Sequence, residues 1–413
     1  MHILFLTDNF PPEVNAPATR TFEHILEWEK RGAKITVITG APNFPAGKVF
    51  KGYRNHLIHK EKWDSRLNIV RVWTYIAPNK GFFRRTIDYF SFAVSSFFAG
   101  LFVKNVDVIV ATSPQFFTVW SGYALSVAKR RPWIFELRDL WPQSIETVGI
   151  SCSTLLMRLL ERIELFLYRK ADHIVAVTDS FVENLVSRGI RRDKITVIKN
   201  GVNLERVFPI PKDEPLLTQY DLKGKTVVGY IGTLGMAHNI FFILKAISTL
   251  RGYTFIFIGD GAQKELLVKM TKEMGLRNVI FTGMVPKSEI QRYISLIDIA
   301  LVNLKKSRDF TKVIPSKIFE LCAMGKPILL GVEGEAKELV ERYGAGIAFE
   351  PENDSDFARQ LERLNNDREL YDASVAGGLR LAKDFNRAKL AGDMYTVIER
   401  VANRELTRRG TAA

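Results

Sequence analysis

Short apolar runs alternate with helical stretches along this 413-residue chain, and the second half repeats the scheme of the first. In the first half, residues 3–7, 35–38, 106–111, 133–136, 173–177 and 195–198 read as strands. In the second half, residues 227–231, 253–258, 279–282, 299–302, 328–331 and 346–349 do so. Several are rich in Val and Ile and apolar almost throughout, as strands covered on both faces must be. Helical stretches such as 20–30 and 154–170 lie between them. That alternation yields parallel sheets with helices on both sides. The chain is also too long for one core. The expected fold class is therefore α/β, two doubly wound Rossmann-like domains facing each other across a cleft. Pro209, Pro211 and Pro215 cluster among charged residues and mark the join within 204–226. The expected domains are 1–205, 206–385 and a last helical segment, 386–413, packing back on the first domain.

Composition narrows the class. A hydrophobic content of 46% with 25% charged residues is ordinary for a soluble globular chain. Cys152 and Cys322 are too few and too far apart for a disulfide framework or a zinc cluster, which fits a reducing cytosol. The start, Met1-His2-Ile3-Leu4-Phe5-Leu6, reads as a first strand rather than a signal peptide. The net charge of +14 is uneven. Residues 1–205 hold 28 Lys/Arg against 19 Asp/Glu, a net of +9, and the remainder holds 31 against 26, a net of +5. The first half thus favours an anionic partner: nucleic acid, membrane or phosphorylated substrate.

In open parallel sheets ligands bind beyond the carboxyl ends of strands. After the first strand comes a proline-stiffened loop, Thr7 to Asn15, that feeds a helix; Asn15 and Arg20 are candidates to hold a ligand there, Arg20 by reaching an anion. A dinucleotide site would place a glycine-rich turn here, and there is no glycine from Met1 through Arg31, which removes most support for nicotinamide chemistry. Residues 133–136 end in Leu137-Arg138-Asp139-Leu140-Trp141-Pro142, an ion pair at a strand end, where function concentrates in α/β domains. In the second half, Gly232 and Gly235 allow phosphates to approach backbone before the next helix. Gly259-Asp260-Gly261 and Lys305-Lys306 follow later strands. Pro315-Ser316-Lys317 opens a helix whose first amides suit an anion, and Glu320 shares a face with Lys317. A cation and a carboxylate so placed suit the diphosphate and the ribose of one nucleotide.

These motifs together resemble the retaining, nucleotide-sugar-dependent glycosyltransferases of family 4, with the GT-B fold, over nearly the whole chain. The residues carrying the resemblance are Pro11-Pro12-Glu13, Arg138 to Pro142, Ile198-Lys199-Asn200-Gly201-Val202-Asn203, Gly232-Thr233-Leu234-Gly235, Gly259-Asp260-Gly261, and Pro315 to Pro327. Ala16-Pro17-Ala18-Thr19-Arg20-Thr21 and Thr39 to Lys48 resemble a narrower branch that transfers N-acetylfucosamine-type sugars in O-antigen and capsule assembly. The resemblance implies a UDP-sugar donor, retention of the anomeric configuration, a lipid-linked saccharide acceptor, and no metal. It assigns Arg138 and Asp139 to the reacting sugar and acceptor, and Asn15 and Arg20 are the expected acceptor-binding residues. It assigns Gly235, His238, Gly261, Lys305, Ser316, Lys317 and Glu320 to the donor, with Glu320 on the ribose.

Three positions depart from the family pattern. Lys312 stands where the first glutamate of E-x7-E belongs, with Asp309 a nearby substitute. Thr233 and His238 stand near the family's basic pair, and Asn15-Ala16 replaces a glycine pair. The stretch 81–103 is aromatic, opens with Arg84 and Arg85, and is uncharged from Tyr89 to Val103, too short to span a bilayer. It reads equally as a buried helix or as an interfacial one meeting lipid phosphates. With the first half's charge and the family's acceptors, the expectation is a cytoplasmic enzyme on the inner face of the plasma membrane, touching anionic lipid. The rival functions are a non-hydrolysing sugar-nucleotide epimerase of the same fold and a basic nucleic-acid-binding protein; no nucleic-acid partner is expected.

Overall fold

The computed structural model describes residues 1–44, 47–77, 82–113, 115–140 and 154–410. Pro45, Ala46, Gly81, Trp141, Pro142 and Cys152, named above, lie outside the described residues. By its contacts the chain divides into two compact units: Met1–Lys199 with the chain from Ala388 onward, and Asn200–Arg387.

The first unit holds an eight-stranded sheet: β1 (His2–Leu6), β2 (Lys34–Gly40), β3 (Ile58–Lys62), β4 (Leu67–Val72), β5 (Val108–Thr112), β6 (Trp133–Leu137), β7 (His173–Ala176) and β8 (Ile195–Val197). Their order is β3-β4-β2-β1-β5-β6-β7-β8, so the chain reverses its direction of travel between β1 and β5. β1, β5, β6 and β7 are buried at every position, as the unbroken apolar runs require.

The sequence pattern does not reveal β3 and β4. β3 is the charged edge Ile58-His59-Lys60-Glu61-Lys62, mostly exposed and antiparallel to β4, the one departure from parallel pairing among the described strands. A charged edge strand carries no apolar run to find. β4 is buried but interrupted by Asn68 and Arg71. Arg71 is tolerated because its guanidinium donates to Glu61 Oε1 at 2.7 Å, Gly40 O at 3.1 Å and Pro11 O at 2.6 Å.

The second unit holds a six-stranded, wholly parallel sheet: β9 (Thr226–Ile231), β10 (Tyr253–Ile258), β11 (Val279–Gly283), β12 (Ile299–Asn303), β13 (Ile328–Gly331) and β14 (Gly346–Ala348). The order is β11-β10-β9-β12-β13-β14, which puts the reversal between β9 and β12. Apolar clusters cover both faces of this sheet, one around Ile256, Ile297 and Ile318, the other around Tyr230, Ile243 and Phe357. Side-chain caps start many of the flanking helices: Asn15, Thr178, Asp213, Asn353 and Asp367 each accept from the amide three residues on. The final helix, Arg387–Gly410, is tied to the first unit, where Trp28 Nε1 donates to Ala391 O at 2.8 Å.

Candidate active site

The order reversals predict where ligands bind, in the crevice at the carboxyl ends of the strands that flank them. In the second unit these strands are β9 and β12, and most of the expected donor residues gather there.

The loop Gly232 to Gly235 leaves β9 and is laced to the loop after β10. Gly232 N donates to Ile258 O at 2.9 Å, Leu234 N to Asp260 O at 2.9 Å, and Gln263 N to Leu234 O at 3.0 Å. Glycine is required where the two loops touch. A Cβ on Gly259, at φ +143°, would lie 2.0 Å from Gly232 O, and one on Gly261 would lie 2.5 Å from Leu234 O. Gly261 therefore holds loop against loop. Gly232 is needed for its backbone, at φ +131°, a conformation that residues with a Cβ rarely adopt; Lys317 Nζ lies 2.8 Å from where that Cβ would stand. Gly235 has no such requirement; a Cβ there would meet only Thr233 Cγ2, at an ordinary 3.6 Å.

Lys317 is the centre of this site. It opens the short helix Lys317–Ala323, whose N-cap Ser316 makes no side-chain cap hydrogen bond. The lysine is half-buried as a whole, but its ammonium is sealed from solvent and has no hydrogen-bond partner among the described residues. It lies 3.9 Å from the centre of the Tyr230 ring. Burial pulls its pKa down to about 7, against the opposing pull of Glu320. Glu320 is half-buried one turn along the same helix.

His238 packs edge-on against Tyr230, the two ring centroids 5.7 Å apart. Its Nδ1 is enclosed without a hydrogen-bond partner among the described residues, and burial, then the Lys317 charge, push its pKa down to about 3. It is a neutral imidazole at physiological pH. Asn303 Nδ2 donates to His238 O at 2.9 Å, leaving its own Oδ1 enclosed and without a hydrogen bond among the described residues. Lys305, just beyond β12, is exposed, and its amide donates to Ala237 O at 2.8 Å. Its neighbour Lys306 is occupied by Glu350 at 2.7 Å. Lys312 closes a 3-10 turn at Phe310–Lys312 and is half-buried. Tyr230 and Asn303 are site residues that the motifs do not single out. The signal available was a tyrosine in an otherwise aliphatic strand and an asparagine ending one.

In the first unit the outcome differs. Asn15 is the N-cap of the helix Ala16–Lys30: its Oδ1 accepts from Ala18 N at 2.9 Å and its Nδ2 donates to Asn9 Oδ1 at 2.6 Å. Arg20 is not placed to reach an anion, and that expectation is corrected. It is fully buried, with Nε donating to Glu136 Oε1 at 3.1 Å, Nη1 to Lys199 O at 2.9 Å and Nη2 to Ile198 O at 3.1 Å. Its role is to clamp the ends of β6 and β8 to the helix. Arg138 and Asp139 follow β6 and are half-buried; the Arg138 amide donates to Ser113 Oγ at 2.8 Å and its Nη1 reaches Pro17 O at 3.4 Å.

Beside the β1–β5 reversal stand three carboxyls that no sequence motif groups. Asp8 is pushed well up by burial and by Asp88 and Glu13. Burial lifts Asp88 to about 6 and also raises Glu13, whose Oε1 accepts from Asn43 N at 2.8 Å and Phe44 N at 2.9 Å. Asp88 lies on a helix between β4 and β5, far from the loop in sequence, so spacing could not associate it with Asp8.

Two doubly wound units, each with one reversal of strand order, give an α/β protein of the GT-B architecture. Comparison with known proteins gives the class of chemistry. Residues 15–201 match the family described as "Glycosyl transferase 4-like domain", and residues 217–378 match "Glycosyl transferases group 1". The chain is a glycosyltransferase of the GT-B fold.

It is 28% identical over 283 residues to the probable glycosyltransferase WbjE of Pseudomonas aeruginosa, a match that spans 67% of this chain and 69% of that one. It is 23% identical over 367 residues to WcaI of Escherichia coli K12, provisionally named a colanic acid biosynthesis glycosyl transferase, over 86% and 89% of the two chains. Among solved structures, HepE of Anabaena in complex with UDP is similar with a TM-score of 0.71 at 17% identity, over 97% of this chain and 100% of that one.

Proposed function

We propose that this glycosyltransferase moves a sugar, an N-acetylated amino sugar of the N-acetylfucosamine type, from a UDP-sugar to a lipid-linked glycan intermediate in cell-surface polysaccharide synthesis. It acts with retention at the anomeric carbon and without a metal. The observation that carries the donor half is the enclosed Lys317 ammonium at the end of β9, with no hydrogen bond among the described residues. A leaving diphosphate needs donors and positive charge beside it, and an enclosed lysine with its hydrogen bonds open is placed to supply both. In this reading Lys317, Lys305 and Ser316 meet the diphosphate, Glu320 the ribose, and Arg138 and Asp139 the reacting sugar and acceptor.

UDP and UDP-glucose occupy the similar HepE structures, which supports a uridine nucleotide. WcaI is named for colanic acid biosynthesis and TuaH of Bacillus subtilis, provisionally, for teichuronic acid biosynthesis, which supports a polysaccharide product.

The acceptor half is supported by the surface of the helix Phe82–Leu101. One face packs on the helix Phe116–Lys129, where Ser96 Oγ donates to Ser121 Oγ at 2.9 Å. On the other, Phe90, Val94 and Phe98 recur every fourth residue, followed by Phe102 just past the helix end, and all four are exposed, Phe102 by 77%. Arg84, near the start of this helix, and Lys104, two residues after Phe102, are exposed. An apolar stripe with cations before and after it suits the interface of an anionic bilayer. Among the described residues no helix is long and apolar enough to cross a membrane.

A thermal-shift panel of nucleotides and sugar nucleotides tests the donor. UDP compounds raise the melting temperature if the reading is right; stabilisation by GDP compounds alone overturns the base. Co-sedimentation with vesicles containing phosphatidylglycerol at low salt tests the stripe, and Phe90→Ser with Phe98→Ser abolishes it.

A further inference from the structure

Two enclosed nitrogens flank the Tyr230 ring, Lys317 Nζ and His238 Nδ1, and neither has a hydrogen-bond partner among the described residues. We infer that they form one phosphate subsite that binds its anion together with a proton: Lys317 rests in part as a neutral amine and becomes fully an ammonium when a nucleoside diphosphate arrives. This rests on the donor reading above and adds how the site is charged.

An ammonium has three protons to donate and no lone pair to accept with. Enclosed without an oxygen acceptor, it loses its hydration and gains little in return. The Tyr230 face, 3.9 Å away, offsets part of that loss. The ionisable groups facing Lys317 are Glu320 on its own helix, His238 on a 3-10 turn of its own (Met236–His238) and Tyr230 on β9. Of these, Glu320 favours the charged form. His238 opposes it when protonated, and its own burial keeps it neutral. Tyr230 is un-ionised, its hydroxyl donating to Thr233 O at 2.8 Å. Burial outweighs Glu320, and Lys317 titrates near neutrality, at about 7.

An ionised phosphate oxygen beside Nζ reverses that balance, because it accepts a hydrogen bond and supplies the missing charge. The amine then takes one proton from solvent; no bond in the nucleotide is made or broken. His238 in its Nδ1–H tautomer donates to a second oxygen without changing charge.

Isothermal titration of the full chain with UDP at pH 8, in Tris and in HEPES, reads the proton directly. UDP is fully ionised at that pH, so any proton taken up goes to the protein. The expected result is a difference in apparent enthalpy between the buffers that corresponds to about one proton times the difference between their heats of ionisation, since a group with a pKa near 7 is mostly neutral there. Lys317→Arg, permanently charged, binds without that difference. Equal enthalpies in both buffers with binding intact overturn the inference and leave the donor site standing. So does a Lys317→Arg variant that takes up as much proton as the parent. If neither UDP nor GDP gives binding heat or a melting shift, the donor reading falls and this inference with it.

Discussion

Arg20 and Lys317 are both cations enclosed near the carboxyl end of a parallel sheet, one in each unit, yet the protein treats them differently. Arg20 spends its donors on Glu136 and on two backbone carbonyls. Lys317 has no hydrogen-bond partner among the described residues, and an aromatic ring is its near neighbour. A buried cation with its bonds made is a fastener; one with its bonds open is held ready for something absent. Burial and charge alone do not separate the two, and hydrogen-bond satisfaction does.

The largest test of that contrast is Arg20→Met. It strands Glu136, 2% exposed, without its cation, and the expected loss is about 3–5 kcal/mol of stability by urea denaturation. A loss limited to activity would mean that Arg20 is no fastener. Lys317→Met is the mirror image. Removing an unpaired charge from an enclosed site leaves stability unchanged or higher, while kcat/KM with the donor falls roughly 10²–10³-fold. Glu320→Ala lies between, weakening donor use by about tenfold through one charged hydrogen bond with little change in melting.

The smallest effect is on pH dependence. Lys317 has a folded-state pKa near 7, below its unfolded value, so the unfolded chain binds more protons between about pH 7 and pH 10. The penalty for charging Lys317 is therefore fully present below pH 7 and fades as pH rises. Wild-type stability should gain on that of Lys317→Met between pH 7 and pH 9, as followed by chemical denaturation. Parallel curves would mean that the amine titrates as an ordinary lysine.

Much of this was legible in the sequence, because parallel strands buried on both faces need unbroken apolar runs. Tyr253–Ile258 and Ile328–Gly331 begin and end as expected, and other strands shift by a residue or two. What hid was whatever depends on partners distant in the chain. β4 carries Arg71, tolerable only because Glu61, Gly40 and Pro11 take its donors. Arg20 looked available for an anion because the carbonyls of Ile198 and Lys199, which occupy it, lie 178 and 179 residues further along the chain. Gly232 was legible as a glycine suited to phosphates, but its φ of +131° and the Lys317 amine beside it required the fold. Lys312, in the place of a family glutamate, is half-buried on its 3-10 turn, and nothing in the structure explains the exchange.

A crystal structure with UDP bound decides most directly whether Lys317 is held open for phosphate. The expected complex has a phosphate oxygen within about 3 Å of Lys317 Nζ, beside the Tyr230 ring. UDP bound with its diphosphate elsewhere, and Lys317 still without an oxygen partner, would contradict it.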